Sequence, residues 1–200
     1  MKYIITERQY RLLSEQEEEI LTIPYVHFQD WDMLQVFLER RKNPPYKISG
    51  DLSLRDSLVE NLGNLESVEG NLYLRSTPIK SLGNLKSVGG WLNLFRTQIK
   101  SLGNLESVDG DLDLGGSLIE SLGNLESVGG GLYLSYTKIK SLGNLESVGG
   151  NLYLYGSSIK SLGNLESVGG TLDLRNTPIS KKYTEEEIRS MVNVGGDVYL

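Results

Sequence analysis

The sequence predicts a mainly β fold with helical caps, a solenoid in which one parallel β-sheet of about eight strands runs through the repeats. The first observation is a repeated decapeptide, SLGNLESVGG, which stands unchanged at 121–130, 141–150 and 161–170 and recurs with one or two changes at three earlier places. The second observation is a constant period of 20 residues, and the third is Leu at positions 2 and 4 of all seven repeats. A fixed period of this length indicates a solenoid whose units pack on their neighbours.

The alternation within each repeat predicts how one coil is built. Leu at positions 2 and 4 predicts a short strand with one buried face. Ile or Val at position 9, Leu at 12 and 15 and Val at 18 extend the predicted core around the coil. Thr or Ser at position 7 is expected to bond to backbone groups inside the turn. Because 20 residues leave no room for a helix, a second short extended piece and a Gly-Gly corner complete the predicted coil. The repeats begin with Asp51, Asn71, Trp91, Asp111, Gly131, Asn151 and Thr171.

The N-terminal segment does not repeat. Residues 1–46 are expected to form a helical cap that covers the first coil, and residues 47–200 to form the solenoid. Capping-box spacing at Thr6 predicts a first helix, and a second helix is expected to begin at Asp30 or Asp32. A separate functional head is the alternative interpretation of this segment.

The C-terminal repeat changes in its second half. Thr184 and Glu187 have capping-box spacing and predict a short helix over about 184–192. The following string, NVGGDVYL, restores the repeat pattern, so an eighth strand is expected within 197–200. That strand would form an edge of the sheet, and an exposed edge can pair with a second copy of the chain to give a homodimer.

The composition excludes several classes of function. The net charge of −6 and the pI near 5.0 argue against a nucleic-acid partner, which requires a basic surface. The chain has no Cys, and its single His, His27, is expected to be structural or solvated. No phosphate-binding loop is present, and the acidic pair Asp111 and Asp113 is expected to be part of a solvated strand. No catalytic residue, metal or cofactor is therefore expected. Without a signal peptide or an apolar run of about 18 residues, a cytoplasmic protein that binds no membrane is expected.

Across the repeat boundary the pattern becomes V-x-G-x-L-x-L-x-x-T-x-I-x-S-L-x-x-L, which resembles a leucine-rich repeat. The resemblance covers about residues 50–200, and the V-x-G-x-L-x-L part of the pattern is similar to the receptor L-domain variant. It implies that x-L-x-L-x-x-T-x-I corresponds to the family's concave strand and the turn that follows it. Thr or Ser stands where the family has an inward Asn, and an invariant Asn at position 14 is expected to form an amide ladder instead. The opening MKYIITERQYRLL resembles the start of small bacteriophage proteins.

Four columns of the repeat vary while nearly all others are constant. Positions 1, 3, 5 and 6 hold Tyr, Trp, Phe, Arg, Asn and Asp, which are residue types enriched at protein interfaces. We therefore expect a non-enzymatic recognition module that binds a protein partner through the outward strand face. The candidate partner-binding residues are Tyr73, Trp91, Asn93, Phe95, Arg96, Asp111, Asp113, Tyr133, Tyr136, Tyr153, Tyr155 and Arg175.

Other interpretations of the same columns stay open. The aromatic pairs could serve only to stabilise the sheet as stacked neighbours. Glycan binding is the main alternative function, with tyrosines stacking on sugar rings and Asp111 and Asp113 forming a calcium or catalytic site. A structural subunit of a larger bacteriophage assembly is a further alternative. Ice binding through the position 7 hydroxyls is disfavoured, since these side chains are expected to point inward.

Overall fold

The structure is a computed structural model that describes residues 20–24 and 31–200, and it is a solenoid built from two parallel sheets. The eight-stranded sheet, called the front sheet, contains the strands Leu52–Ser53, Leu72–Tyr73, Leu92–Asn93, Leu112–Asp113, Leu132–Tyr133, Leu152–Tyr153, Leu172–Asp173 and Val198–Tyr199. The nine-stranded sheet, called the back sheet, contains Leu21–Pro24, Tyr46–Ser49, Leu65–Val68, Ser87–Val88, Ser107–Val108, Ser127–Val128, Ser147–Val148, Ser167–Val168 and Asn193–Val194.

The pairing register equals the period of the sequence. In the front sheet Leu132 pairs with Leu112 on one side and Leu152 on the other, and the back sheet repeats this relation with Val128 between Val108 and Val148. Identical positions therefore lie directly above one another along the solenoid. The Leu, Ile and Val side chains of positions 2, 4, 9, 12, 15 and 18 are buried between the sheets and form one continuous core.

These features confirm the predicted fold class, including the front sheet of eight strands. The back sheet adds to the prediction, because the expected second extended piece pairs from coil to coil through positions 17 and 18. One of its strands was not predicted: Leu21–Pro24 pairs in parallel with Tyr46–Ser49 and extends the back sheet at its N-terminal end. Its Ile23 is buried in the same core.

Two short helices lie at the ends of the described solenoid. Helix α1, Trp31–Glu39, begins within the predicted range and buries Leu34 and Leu38. Helix α2, Glu185–Met191, has the predicted capping box, in which Thr184 and Glu187 bond to each other's backbone N–H. A 3₁₀ turn, Ile179–Lys181, precedes it. The predicted helix at Thr6 and the lone His27 lie outside the described residues. Among the described residues, no helix combines the length and apolar character that crossing a membrane requires.

Polar side chains at positions 7, 10 and 14 form hydrogen bonds and an ion pair within and between coils. The position 7 residues from Thr77 to Thr177 are buried, and the hydroxyl of Thr97, for example, donates to the Leu94 carbonyl at 2.8 Å. The Asn column at position 14 is largely exposed, and the expected amide ladder is not formed along it. Among the described residues only Asn84 donates to the Asn of the previous coil, Asn64, at 3.0 Å, whereas the Asn104 amide donates to the Gly83 carbonyl. On the coil edge, Lys80 Nζ lies 2.8 Å from Glu60 Oε2 of the previous coil, an exposed ion pair.

Candidate partner-binding face

The front face is the set of outward side chains at positions 1, 3, 5 and 6 of the coils, on the outer side of the front sheet. All twelve predicted partner-binding residues lie on this face, because their coils stack in register. Their exposure differs widely. Tyr136 is 70% exposed, whereas Asn93 is only 7% exposed. The face is therefore a layer of packed side chains with a few members that protrude.

The first cluster on this face joins three coils. The guanidinium of Arg55 lies 4.1 Å above the ring centre of Tyr73, and the Tyr73 ring meets Trp91 edge to face at 5.7 Å. Both contact types are favourable, at roughly 0.5–1.5 kcal/mol each. The indole N–H of Trp91 is buried and has no hydrogen-bond partner among the described residues. The contacts of this cluster are thus made by its own three side chains, Arg55, Tyr73 and Trp91.

Phe95 is the centre of the second cluster. The guanidinium carbons of Arg75 and Arg96 lie 5.3 Å and 5.0 Å from the centre of its ring. The ring also lies against Gly115 of the next coil, where an added Cβ would come within 3.2 Å of it. Gly115 is therefore covered by the Phe95 ring.

Four tyrosines form the third cluster, on coils five and six. Tyr133 and Tyr153 are stacked at 5.3 Å with 21° between their planes, while Tyr136 and Tyr155 meet edge to face at 5.3 Å. Arg175 continues the cluster, 5.8 Å from the Tyr155 ring. The predicted stacking of aromatic neighbours is thus present, and it leaves the Tyr136 ring protruding beside it.

The acidic pair Asp111 and Asp113 is partly engaged by the fold. Asp111 Oδ1 accepts the backbone N–H of Gly131 at 2.7 Å, and Asp113 Oδ1 accepts that of Gly115 at 2.9 Å. Burial raises the pKa of Asp113 above its ordinary value, although the Gly115 N–H and the charge of Arg75 oppose the shift. Burial and the nearby acids also raise the pKa of the Tyr133 hydroxyl. Among the described residues, no group of three or more His, Cys, Asp and Glu side chains is placed to hold a metal ion.

Position 1 has a structural role that the sequence analysis did not recognise. Asn71 Oδ1 accepts the backbone N–H of Trp91, and Asn151 Oδ1 accepts that of Thr171, each at 2.7 Å. Asp51 makes the same bond to Asn71 at 2.8 Å, and the pKa of Asp51 is lowered because that N–H stabilises the carboxylate. Asn and Asp at this position therefore link successive coils, and their variation reflects interchangeable acceptors.

Three further residues of the face were not among the predicted site residues. Arg55 and Arg75 each stack on an aromatic ring of the next coil. Asp173 is buried and accepts two bonds from the guanidinium of Arg175, at 2.9 Å and 2.6 Å, which lower the pKa of its carboxyl. The available signal was spacing, because Arg55 lies 18 residues before Tyr73 and Arg75 lies 20 residues before Phe95.

No protein-family model, curated protein or solved structure matches this chain. The fold and the face nevertheless define a structural class. The protein is a β-solenoid of 20-residue repeats with leucine at regular spacing, and it carries a varied aromatic face on one of its two parallel sheets.

Proposed function

We propose that the protein is a non-enzymatic recognition module that binds a protein partner through its front face. The observation that carries this proposal is the difference between the outer faces of the two sheets. The back sheet presents Ser at position 17 of six successive coils, and the last three of these serines line a shallow groove of about 320 Å³. The front sheet has the same regular backbone but changes its side chains from coil to coil. Stability alone explains the first face, whereas the second has the variety that recognition requires.

The packing of the front face also supports binding. Stacked arginines and tyrosines are held in place before a partner arrives, so few rotamers are lost on association. Tyr, Trp and Arg are the residue types that most often dominate binding energies. Because the parallel sheet fixes their spacing, the face would act as one rigid surface.

The test is a pull-down from host lysate followed by calorimetric titration of the recovered protein. The double variant Trp91→Ala/Tyr133→Ala is expected to lose binding, since it removes one ring from each of two clusters. The variant Ser147→Ala/Ser167→Ala on the back sheet is the matched control and is expected to bind like the wild type. Circular dichroism and urea unfolding establish that both variants remain folded. Binding that survives the front-sheet variant but not the back-sheet variant would refute the assignment.

Glycan binding is the second candidate, and the protruding Tyr136 ring favours it. A ring that is 70% exposed beside a tyrosine pair could stack on a sugar. Asp111 and Asp113 each keep a carboxylate oxygen outside the backbone hydrogen bonds described above, where calcium could be held. Binding on a glycan array that needs calcium and is lost in Tyr136→Ala would support this function. A calcium-independent protein complex with no glycan signal would eliminate it.

We also propose that the repeat is a short leucine-rich repeat of the receptor L-domain type and that the chain is bacteriophage-encoded. The buried L-x-L strand and the hydroxyl at position 7, which replaces the family's Asn in bonding the turn, support the first point. The resemblance of the opening residues supports the second. Sequencing the genes on either side tests the origin, because phage structural genes are expected there and a purely cellular neighbourhood would contradict it.

A further inference from the structure

Position 6 of the repeat has a positive φ in every coil. φ is 55° at Arg96 and 59° at Tyr136, compared with 64° at Gly116 and 66° at Gly156. Gly and Asn adopt this left-handed region readily, whereas a bulky side chain there is uncommon and strained. The chain thus holds a guanidinium and a phenol at two places where Gly fits more easily. Strain of this kind is concentrated at functional sites.

Arg96 belongs to a pair of cations around one ring. Arg75 and Arg96 both lie within 5.3 Å of the Phe95 ring centre, and neither forms an ion pair within the described part of the chain. Asp113 is close enough for its pKa to respond to Arg75, but its Oδ1 is occupied by the Gly115 N–H. Two guanidinium groups on one ring with no ion-pair partner favour an anion, and a guanidinium matches the geometry of a carboxylate.

Tyr136 lies two coils beyond Arg96 at the same position of the repeat, and Gly116 lies between the two residues. Only Arg96 Cγ, at 3.5 Å, lies near the position that a Gly116 side chain would occupy. The face between the two residues is therefore open to the close approach of another backbone. Two coils span about 10 Å, which an extended chain covers in about three residues.

We infer that Arg96 and Tyr136 are the specificity-determining residues of the front face and that they bind an extended segment of the protein partner. The inference rests on the proposed function and names the chemistry of the partner. A carboxylate side chain of the segment binds between Arg75 and Arg96, and an apolar side chain about three residues along it packs on the Tyr136 ring. Its backbone crosses Gly116. Asp111 and Asp113, on the coil between, repel a second acid at that point.

The experiment pans a yeast-displayed library of random linear peptides against the full chain and measures the enriched peptides by fluorescence anisotropy. Enriched sequences are expected to carry Asp or Glu about three residues from an apolar side chain. Arg96→Gly and Tyr136→Gly are each expected to weaken binding roughly tenfold or more. Ser76→Gly is the matched control, because Ser76 has the same positive φ in the neighbouring coil, and it is expected to leave binding unchanged.

Urea unfolding of the same variants separates recognition from folding. Because relief of the left-handed strain offsets the lost contacts to Phe95 and Tyr155, the midpoints of Arg96→Gly and Tyr136→Gly are expected to stay close to the wild-type midpoint. Midpoints clearly below it would show that the two side chains hold the fold, which overturns the inference.

The panning outcomes also distinguish this inference from the proposed function. Peptides that lack an acid, or that bind Arg96→Gly as tightly as the wild type, overturn the inference. If the Trp91→Ala/Tyr133→Ala variant still abolishes their binding, the proposed function stands. If no peptide depends on either set of residues, the inference and the proposed function fail together.

Discussion

Asn93 and Asp113 are Cα partners in adjacent strands, and they make the same local hydrogen bond with different charge. Oδ1 of Asn93 accepts the N–H of Phe95 at 3.1 Å, and Oδ1 of Asp113 accepts the N–H of Gly115 at 2.9 Å. An amide therefore suffices for this bond, and the charge of Asp113 is not needed to form it. Asp173 occupies the same position of its own coil but is bound twice by the Arg175 guanidinium.

The first prediction is that Asp113→Asn and Asp173→Asn change stability in opposite directions at neutral pH. Burial disfavours the Asp113 carboxylate, so Asp113→Asn is expected to raise the free energy of unfolding by a few tenths to about 1 kcal/mol. Asp173→Asn removes charge-assisted bonds to a half-exposed arginine and is expected to lower it by about 1 kcal/mol. Urea titrations from neutral to acidic pH measure both effects.

The pH dependence of the free energy of unfolding distinguishes the contribution of Asp113 from that of Asp173. The pKa of Asp113 is raised in the folded protein, so its unfavourable contribution fades as pH falls through that pKa. The pKa of Asp173 is lowered, so its favourable contribution is complete above the unfolded value of about 3.9 and is lost as pH falls below it. The stability that Asp113→Asn gains over the wild type should therefore decrease as the pH falls. The stability that Asp173→Asn loses should be recovered only below about pH 4. Parallel profiles for the two variants would contradict this account.

The second prediction concerns the position 7 hydroxyls. Ser117 Oγ donates to the Leu114 carbonyl at 2.7 Å, whereas the buried Ser157 Oγ has no partner among the described residues. Ser117→Ala is expected to lower the free energy of unfolding by about 1 kcal/mol. Ser157→Ala is expected to be neutral or stabilising, because it removes a buried polar atom that gains no bond. Equal losses in urea unfolding would show that the Ser157 hydroxyl rotates to bond as the others do.

The parts of the fold that could be predicted from the sequence are those that the repeat copies several times. Leu at positions 2 and 4 and the hydroxyl at position 7 recur in every coil, so comparison among the copies identifies them as inward. The strand Leu21–Pro24 occurs once, and four residues without an internal counterpart carry too little periodicity to predict a strand.

The candidate site was harder to interpret because a position whose residue type varies can still have a fixed structural role. Asn71 and Asp111 differ in charge, yet the side-chain oxygen of each accepts a backbone N–H of the next coil. A sequence comparison registers the difference in residue type and misses the shared acceptor. Conversely, the sequence analysis did not predict the left-handed backbone at Arg96 and Tyr136, although Gly116, Gly156 and Asn176 in the same column are residue types typical of that conformation.

The third prediction separates two reasons for glycine in the repeat. A Cβ on Gly150 would lie 2.8 Å from the Gly130 carbonyl carbon and from the Gly131 nitrogen, so the close approach of two coils excludes it. A Cβ on Gly143 would meet nothing within 4 Å, but the residue has a φ of +61°. Ala at position 150 would therefore push the neighbouring backbone at Gly130 and Gly131 away. Ala at position 143 would only have to adopt a left-handed conformation.

Urea unfolding is expected to show a loss of about 1 kcal/mol for Gly143→Ala and up to about 3 kcal/mol for Gly150→Ala. Gly143→Asn is the control, because Asn tolerates positive φ and should lose less than Ala. Since each coil packs only on its neighbours, the damage at Gly150 should also uncouple the coils on either side. Backbone amides at residues 130–131 and 150–151, where the two coils meet, would then exchange their hydrogens faster than amides elsewhere in the solenoid. If Gly150→Ala were as stable as Gly143→Ala, the close approach of the coils would not be what requires glycine there.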